Sequence, residues 1–184
     1  MLADKRIVGL LLLGFSGGLP LALTASTLAI RLVEAGVDKA SIGLFAAVTM
    51  PYAFKFLWAP VVDSVRFPLL AKIFGRRRGW LFGAQTALMA AIVFLAFAEP
   101  ALNPWLTALA AFCVAFCSAT QDIVVDAYRV ELLPQERQAT AAAVYVLGYR
   151  LAMIMSSAGA LYLATYMGWA VTYLLMAGLI TIGM

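Results

Sequence analysis

Residues 118–126 read Ser-Ala-Thr-Gln-Asp-Ile-Val-Val-Asp and lie near the end of a long apolar run that begins around Trp105. On a helix, Ser118, Asp122 and Asp126 follow one another at steps of four, so the hydroxyl and both carboxylates share one face. A charge at the centre of a membrane-spanning helix costs about 2.5–3.5 kcal/mol on insertion scales. If this run crosses a membrane, the two carboxylates are therefore expected to mark an ion or substrate pathway.

The composition of the whole chain favours a membrane protein. Of its 184 residues, 65% are hydrophobic and 12% are charged, whereas a soluble domain is about 45–50% apolar and about 25% charged. The net charge of +4 comes from basic residues in a few short segments, which disfavours a nucleic-acid-binding face. The chain has no His, so catalytic triads, metal sites and proton relays that use His are excluded. Any proton carrier must then be a carboxylate.

Six apolar segments are long enough to cross about 30 Å of hydrocarbon, which takes roughly 20 residues. They are predicted at residues 7–32, 41–62, 80–98, 105–130, 139–166 and 169–184. The predicted fold is an all-α integral membrane domain of six transmembrane helices, occupying residues 1–184. The sixth segment runs to Met184 without a flanking charge, so we expect further chain beyond it.

The distribution of Lys and Arg predicts the orientation of these helices. Lys5 and Arg6 precede the first segment, whereas the connection between the third and fourth segments has neither Lys nor Arg. Basic residues also follow the second segment and flank the connection after the fourth, at Arg66, Lys72, Arg76, Arg77 and Arg78 and at Arg129 and Arg137. The amino terminus is therefore predicted to be cytoplasmic.

Four charges lie inside the predicted spans: Lys55 in the second, Asp122 and Asp126 in the fourth, and Arg150 in the fifth. A helix rises about 1.5 Å per residue and its side chains lean toward its amino terminus. Lys55, Asp122 and Arg150 are thus predicted to meet near the bilayer middle. Unpaired, the four charges would cost about 10–14 kcal/mol together. We expect them to pair, either as a static cluster or as pairs that break and re-form.

A second group of charges lies at the predicted cytoplasmic ends of the helices. The basic cluster Gly75-Arg76-Arg77-Arg78-Gly79 either contacts lipid phosphates or forms a latch with Asp63 or Glu131 in one conformation. The residues predicted to form this cytoplasmic gate are Asp63, Arg76, Arg77, Arg78, Arg129 and Glu131.

Two further helices differ in their predicted surroundings. The third helix has few polar residues apart from Gln85 and is predicted to face lipid. The fifth helix carries small residues at every fourth position from Gly148 to Ala160, a stripe that lets a neighbouring backbone approach closely.

Four motifs in this order resemble those of the AmpG-type muropeptide permeases, a family of the major facilitator superfamily. The motifs are Phe54-Lys55-Phe56-Leu57-Trp58-Ala59-Pro60, Gly75-Arg76-Arg77-Arg78-Gly79-Trp80, Gln121-Asp122-Ile123-Val124-Val125-Asp126-Ala127 and Val146-Leu147-Gly148-Tyr149-Arg150-Leu151. The usual loop signature of the superfamily has a Gly four residues before Asp63, where this chain has Ala59. The resemblance implies two pseudo-symmetric six-helix halves, of which this chain is the amino-terminal one, with the carboxyl-terminal half absent.

The resemblance also implies a function. The expected protein is a multi-pass transporter of the bacterial inner membrane that imports anhydro-muropeptides with the proton gradient. It is expected not to be an enzyme and to need neither a cofactor nor a metal. Its expected partners are the sugar-peptide substrate, protons, membrane lipids and the missing half of the transporter.

Within this scheme the candidate site residues take separate roles. Lys55 and Arg150 suit carboxylates of the substrate. Asp122 suits the coupled proton, with Asp126 next in line. The side chains predicted to hydrogen-bond the sugar are Gln121, Tyr52 and Tyr149.

Three alternatives remain open at this point. A transporter of the acetyl-CoA or siderophore type would share much of this half. A membrane-embedded transferase could use Asp122 and Asp126 as metal ligands, although further acidic ligands are missing nearby. A receptor or scaffold that does not transport is the third, since a fold does not determine a function.

Overall fold

The computed structural model describes residues 5–65 and 75–183, except the side chain of residue 76. Both ranges are helical and contain no strand. The helices are α1 (Lys5–Glu34), α2 (Lys39–Leu57), α3 (Ala59–Ser64), α4 (Arg76–Phe97), α5 (Pro104–Leu132), α6 (Gln138–Ile154) and α7 (Ala160–Leu179). A π-helical turn interrupts α1 at Leu23–Thr27, and another, Met155–Gly159, joins α6 to α7.

Five stretches of the described chain are long and apolar enough to cross a membrane: α1, α2, α4, α5 and Gln135–Gly183. The last is 49 residues long, far more than the roughly 20 that one crossing takes. Gly168 interrupts it, because its φ of 77° and ψ of 166° are not helical. The prediction of an all-α membrane domain is confirmed, with a break at Gly168 where the sequence predicted the boundary between its last two helices.

Two helices begin at residues whose side chains cap the first turn. The Asp38 carboxylate accepts a hydrogen bond from the Ser41 amide (2.9 Å) at the start of α2, and Asn103 accepts one from the Leu106 amide (3.0 Å) at the start of α5. Such side chains satisfy amides that have no partner in the first turn. The hydrogen bonds that Ser41 donates hold the pKa of Asp38 below its ordinary value, because they favour the charged carboxylate.

Glycines bring α1 and α6 into backbone contact. A Cβ added to Gly14 would overlap the carbonyl oxygen of Tyr145, and one added to Gly148 would overlap that of Leu11. The close approach predicted from the small-residue stripe is therefore confirmed at Gly148. It holds Tyr145 and the residues that follow it against α1.

The prediction that the third helix faces lipid is wrong for one side of α4. Gln85 is 1% exposed, and its amide donates to the Ser16 hydroxyl (3.2 Å) and the Gly183 carbonyl (3.1 Å). Phe82 and Phe94, by contrast, are exposed. The sequence did not distinguish these sides, because lipid tails and a protein interior are equally apolar.

Arg31 fastens α1 to α4 and α7 at one end of the bundle. Its guanidinium donates to the carbonyls of Leu95 (2.9 Å), Ala96 (3.4 Å) and Ala98 (2.6 Å) at the end of α4. The guanidinium carbon lies 5.1 Å from the ring centre of Tyr173 on α7. The last carbonyls of a helix have no partner within it, so Arg31 completes the carboxyl end of α4.

Candidate functional site

Asp122 lies on α5 where α1 leaves space for its carboxylate. A Cβ added to Gly17 of α1 would lie 3.7 Å from Asp122 Oδ1 and 2.9 Å from the Tyr145 hydroxyl oxygen. Asp122 Oδ1 is buried and has no hydrogen-bond partner among the residues that the structure describes. Asp122 is therefore a buried acceptor whose place is bounded by three helices, α1, α5 and α6.

Asp126, one turn along the same helix, has a different environment. Its Oδ2 lies 3.8 Å from Lys55 Nζ and its Oδ1 lies 3.5 Å from Arg129 Nη2. The side chains of Lys55, Asp126 and Arg129 are 36%, 52% and 24% exposed. Partly exposed ion pairs contribute about 0–1 kcal/mol each, so Lys55 can exchange Asp126 for another carboxylate at small cost.

Tyr145 lies near Asp122 and near Arg129, the ion-pair partner of Asp126, and was not predicted as a site residue. Its hydroxyl faces Gly17 beside Asp122, and its ring centre lies 5.7 Å from the guanidinium carbon of Arg129. A signal was present in the sequence, because Tyr145 precedes Tyr149 by four residues and so shares its helix face. The two rings are 6.2 Å apart.

The residues predicted to bind the sugar are more buried than the cations. Gln121 is fully buried and its amide donates to the Ser16 hydroxyl (3.3 Å), while its Oε1 has no partner in the described chain. The Tyr52 and Ser118 hydroxyls are likewise buried and without a hydrogen bond there. Tyr149 is partly buried, and its ring lies beside Gly17, as the Asp122 carboxylate does.

The predicted meeting of Arg150 with Asp122 is not present in this structure. Arg150 is exposed, and within residues 5–65 and 75–183 no acid lies within 4.0 Å of its guanidinium. The physical reason is the rotation of α6. Gly148 faces the backbone of α1, and a residue two positions further along a helix points to a different side.

Part of the predicted gate is assembled around Arg77. Its guanidinium lies 2.6 Å from Asp63 Oδ1 and 3.0 Å from Glu131 Oε1, and so joins α4 to α3 and α5. Arg78 is exposed, and Arg129 pairs with Asp126 instead. The side chain of Arg76 lies outside the described residues. Of the two readings of the basic cluster, the latch therefore has direct contacts at Arg77.

Tryptophans of the motif region hold this part of the chain in place. The Trp58 indole donates to the Thr120 hydroxyl (3.1 Å) and its ring centre lies 4.8 Å from that of Phe116 on α5. The Trp80 indole donates to the Val65 carbonyl (2.8 Å). The Trp58 contacts hold the start of α3 against α5, and the Trp80 contact joins Val65 to α4.

Comparison with known proteins places these residues in a family context. A family model described as "Acetyl-coenzyme A transporter 1" matches residues 6–173. "Anhydromuropeptide permease" of Escherichia coli (strain K12) is 47% identical over 179 residues, which make up 96% of this chain and 35% of that protein. "Putative transporter AmpG 1" of Rickettsia conorii (strain ATCC VR-613 / Malish 7) is 35% identical over 182 residues, 99% of this chain and 44% of that protein.

Two facts follow from these matches. The chain spans less than half the length of these relatives. The family match, on the other hand, takes in nearly all of the chain, including α5 with its two carboxylates, and the relatives confirm the resemblance seen in the four motifs. The chain therefore belongs to the family described as "Acetyl-coenzyme A transporter 1", and is related to the AmpG-type permeases of the major facilitator superfamily.

Proposed function

We propose that this chain supplies one helical bundle of a proton-coupled transporter that imports peptidoglycan-derived anhydro-muropeptides across the bacterial inner membrane. One observation carries the proposal: two carboxylates one turn apart on a membrane-spanning helix differ in whether they have partners. One oxygen of Asp122, Oδ1, is buried and has no hydrogen-bond partner in the described chain, whereas Asp126 is paired with Lys55 and Arg129. Ionisable residues inside a span usually mark a substrate or proton pathway.

The cations of this site suit an acidic substrate. Lys55 lies 3.8 Å from Asp126 and is partly exposed, so a substrate carboxylate can displace that acid without leaving a buried charge behind. Arg150 is exposed and offers a second cation that no acid of the described chain occupies within 4.0 Å. Anhydro-muropeptides carry peptide carboxylates as well as sugar hydroxyls, and Tyr149, which lies beside Gly17 as Asp122 does, suits the hydroxyls.

Asp122 takes the role of proton carrier in this scheme. Inside the bilayer, a neutral carboxylic acid costs much less free energy than a charged carboxylate. Proton binding at Asp122 would therefore let the bundle change conformation. Lys55 connects substrate binding with proton binding at Asp122. A substrate carboxylate that displaces Asp126 from Lys55 also changes the charge one turn away from Asp122. Asp126 is the next candidate for the proton if Asp122 does not carry it.

The Arg77 latch is proposed to hold one conformation of this transport cycle. Arg77 contacts Asp63 and Glu131, both of which are about half exposed. Ion pairs in that environment break at low cost, so the latch can open when α3 and α5 separate. The positive-inside distribution of Lys and Arg supports a cytoplasmic amino terminus and hence a latch on the cytoplasmic face.

The number of membrane crossings and the presence of a second bundle are further parts of this proposal. We propose that Gly168 marks the connection between two crossings, so that the chain spans the membrane six times. The relatives are more than twice as long as this chain, which supports a second bundle, the carboxyl-terminal half, that completes the cavity.

Transport of acetyl-CoA is the second candidate, because the matching family is described as an acetyl-coenzyme A transporter. The phosphates of coenzyme A would suit Lys55 and Arg150 as well as peptide carboxylates do. Neither relative described above is named as a siderophore transporter, and the pairing of Asp126 with two cations in the described chain does not favour a metal-dependent transferase.

Uptake into proteoliposomes separates these functions. Under an imposed inward proton gradient, labelled anhydro-muropeptide is expected to accumulate above its external concentration, and a protonophore is expected to abolish the accumulation. Labelled acetyl-CoA in parallel vesicles tests the second candidate. Accumulation of acetyl-CoA but not of anhydro-muropeptide would overturn the first assignment, and accumulation that survives the protonophore would overturn proton coupling.

A further inference from the structure

We infer that the hydroxyls of Tyr52, Ser118 and Thr24 hold water molecules that carry the proton to Asp122, from the side away from the pair formed by Lys55 and Asp126. This inference rests on the proposed role of Asp122 as the proton carrier. It adds a path and the residues that form it, and it gives Tyr52 a role other than sugar binding.

The first support is a group of unsatisfied polar atoms around Asp122. The Tyr52 hydroxyl, the Ser118 hydroxyl and Asp122 Oδ1 are all buried, and none has a hydrogen-bond partner among the described residues. In native proteins the great majority of buried polar groups are paired with protein or with ordered water. Three neighbouring exceptions indicate a polar occupant, and water meets the need because it can both donate and accept.

The second support is the position of these groups relative to one another. The Tyr52 hydroxyl lies near the side chains of Ser118, Thr24 and Asp122. No direct hydrogen bond joins Tyr52 to Ser118 within the described chain. Polar groups that face each other without a direct bond are commonly bridged by water. The hydroxyls and the carboxylate therefore form one connected group.

The third support is the direction in which the group extends. On α5, Ser118 precedes Asp122 by four residues and Asp126 follows by four, each about 6 Å along the axis. The hydroxyls thus lie on one side of Asp122, and the ion pairs of Asp126 lie on the other. On α1, Gly17 lies beside Asp122 and Thr24 lies near Tyr52, so this helix borders both the carboxylate and the hydroxyls.

Thr24 is held in a fixed orientation at the far end of the path. Its hydroxyl donates to the Pro20 carbonyl (2.9 Å) and so keeps its oxygen free to accept from water. Each water gives a proton to its neighbour nearer Asp122 and takes one from its neighbour on the other side. The last proton adds to Asp122 Oδ1, and the hydroxyls end in their starting state. The charged and titratable groups near Asp122 are Lys55, Asp126, Tyr145 and Tyr149.

Removing the hydroxyls tests the path in the reconstituted transporter. Tyr52→Phe and Ser118→Ala, singly and together, are expected to slow proton-driven uphill uptake roughly tenfold or more. Exchange of labelled for unlabelled anhydro-muropeptide at equal concentrations needs no net proton movement and is expected to be unchanged. Matched controls are Tyr162→Phe, at an exposed tyrosine, and Ser157→Ala, whose hydroxyl bonds the Met153 carbonyl of its own helix (2.6 Å).

The outcomes distinguish the path from the function on which it rests. Wild-type uphill uptake by Tyr52→Phe/Ser118→Ala, alongside loss of uphill uptake in Asp122→Asn, would overturn the path and leave the proposed function standing. Equal loss of exchange and of uphill uptake would make Tyr52 a substrate contact and would also overturn the path. Wild-type uphill uptake by Asp122→Asn would overturn the proposed function itself. If the double variant does not insert, the single variants carry the test.

Discussion

Two charged residues, Arg31 at one end of the bundle and Asp122 in the middle of α5, have opposite surroundings. Arg31 is 5% exposed and has three carbonyls and an aromatic ring around its guanidinium. Asp122 has a buried oxygen with no hydrogen-bond partner in the described chain. The difference indicates which charge is structural. A group surrounded by fixed partners stabilises one arrangement, whereas a group without partners is available to a proton or to water.

The largest expected effect is that of Asp122→Asn on coupling. Uphill accumulation of anhydro-muropeptide is expected to be lost, because the amide has nearly the same shape but cannot carry the proton. The free energy of unfolding is expected to change by less than about 1 kcal/mol, since the carboxylate has no hydrogen bond to lose at Oδ1. Proteoliposome uptake and thermal unfolding in detergent measure the two quantities. A large loss of stability would show that Asp122 has a structural partner after all.

The next effect is that of Arg31→Met on stability. Hydrogen bonds to a charged group contribute about 1.5–3 kcal/mol each, and the variant leaves the carbonyls at the end of α4 without their donors. We expect a loss of about 3 kcal/mol or more in the free energy of unfolding, with transport per folded molecule retained. Lys39→Met, at an exposed cation, is the control. Unchanged stability would mean that the Arg31 contacts are not structural.

A smaller effect is expected for Lys55→Ala on substrate affinity. The variant removes one cation from the proposed site while Arg129 still pairs with Asp126. One lost charge-assisted contact of about 1.5 kcal/mol corresponds to roughly a tenfold weaker half-saturation for anhydro-muropeptide. Lys39→Ala serves as the matched control in initial-rate uptake. A wild-type half-saturation would remove Lys55 from the substrate site.

The smallest effect is expected for Asp126→Asn on stability. Its ion pairs with Lys55 and Arg129 are partly exposed, so the loss is expected to stay below about 1 kcal/mol and to vanish at high salt. Thermal unfolding at low and high ionic strength provides the measurement. A loss as large as that of Arg31→Met would contradict the contrast drawn between exposed and buried charges.

Much of the fold followed from the sequence, because membrane-spanning helices are defined by length and apolar composition within one continuous segment. The boundary predicted near residue 168 coincides with the positive φ of Gly168. The contact of Arg77 with Asp63 and Glu131 was among the predicted latches, since their charges lie at the same end of neighbouring helices.

The site was predicted less completely. Charge and spacing identified Asp122, Asp126 and Lys55, but the sequence did not indicate that Lys55 pairs with Asp126 in this structure. Arg150 was expected beside Asp122 and is exposed instead. Tyr145, near Asp122, was not predicted. Each of these differences depends on how helices are rotated against one another, which the period of a single helix does not contain.

The sequence by itself determined that this protein is a bundle of apolar helices with acids and a lysine inside the spans. Only the tertiary structure decided that Arg31 is bonded to fixed carbonyls, that Asp126 is paired with cations, and that Asp122 Oδ1 has no hydrogen-bond partner among the described residues. The physical reason is that lipid and protein interior are equally apolar, so hydropathy does not rotate a helix toward its neighbour. Backbone contacts at glycines such as Gly14 and Gly148 do so instead, and they bring Tyr145 to the vicinity of Asp122.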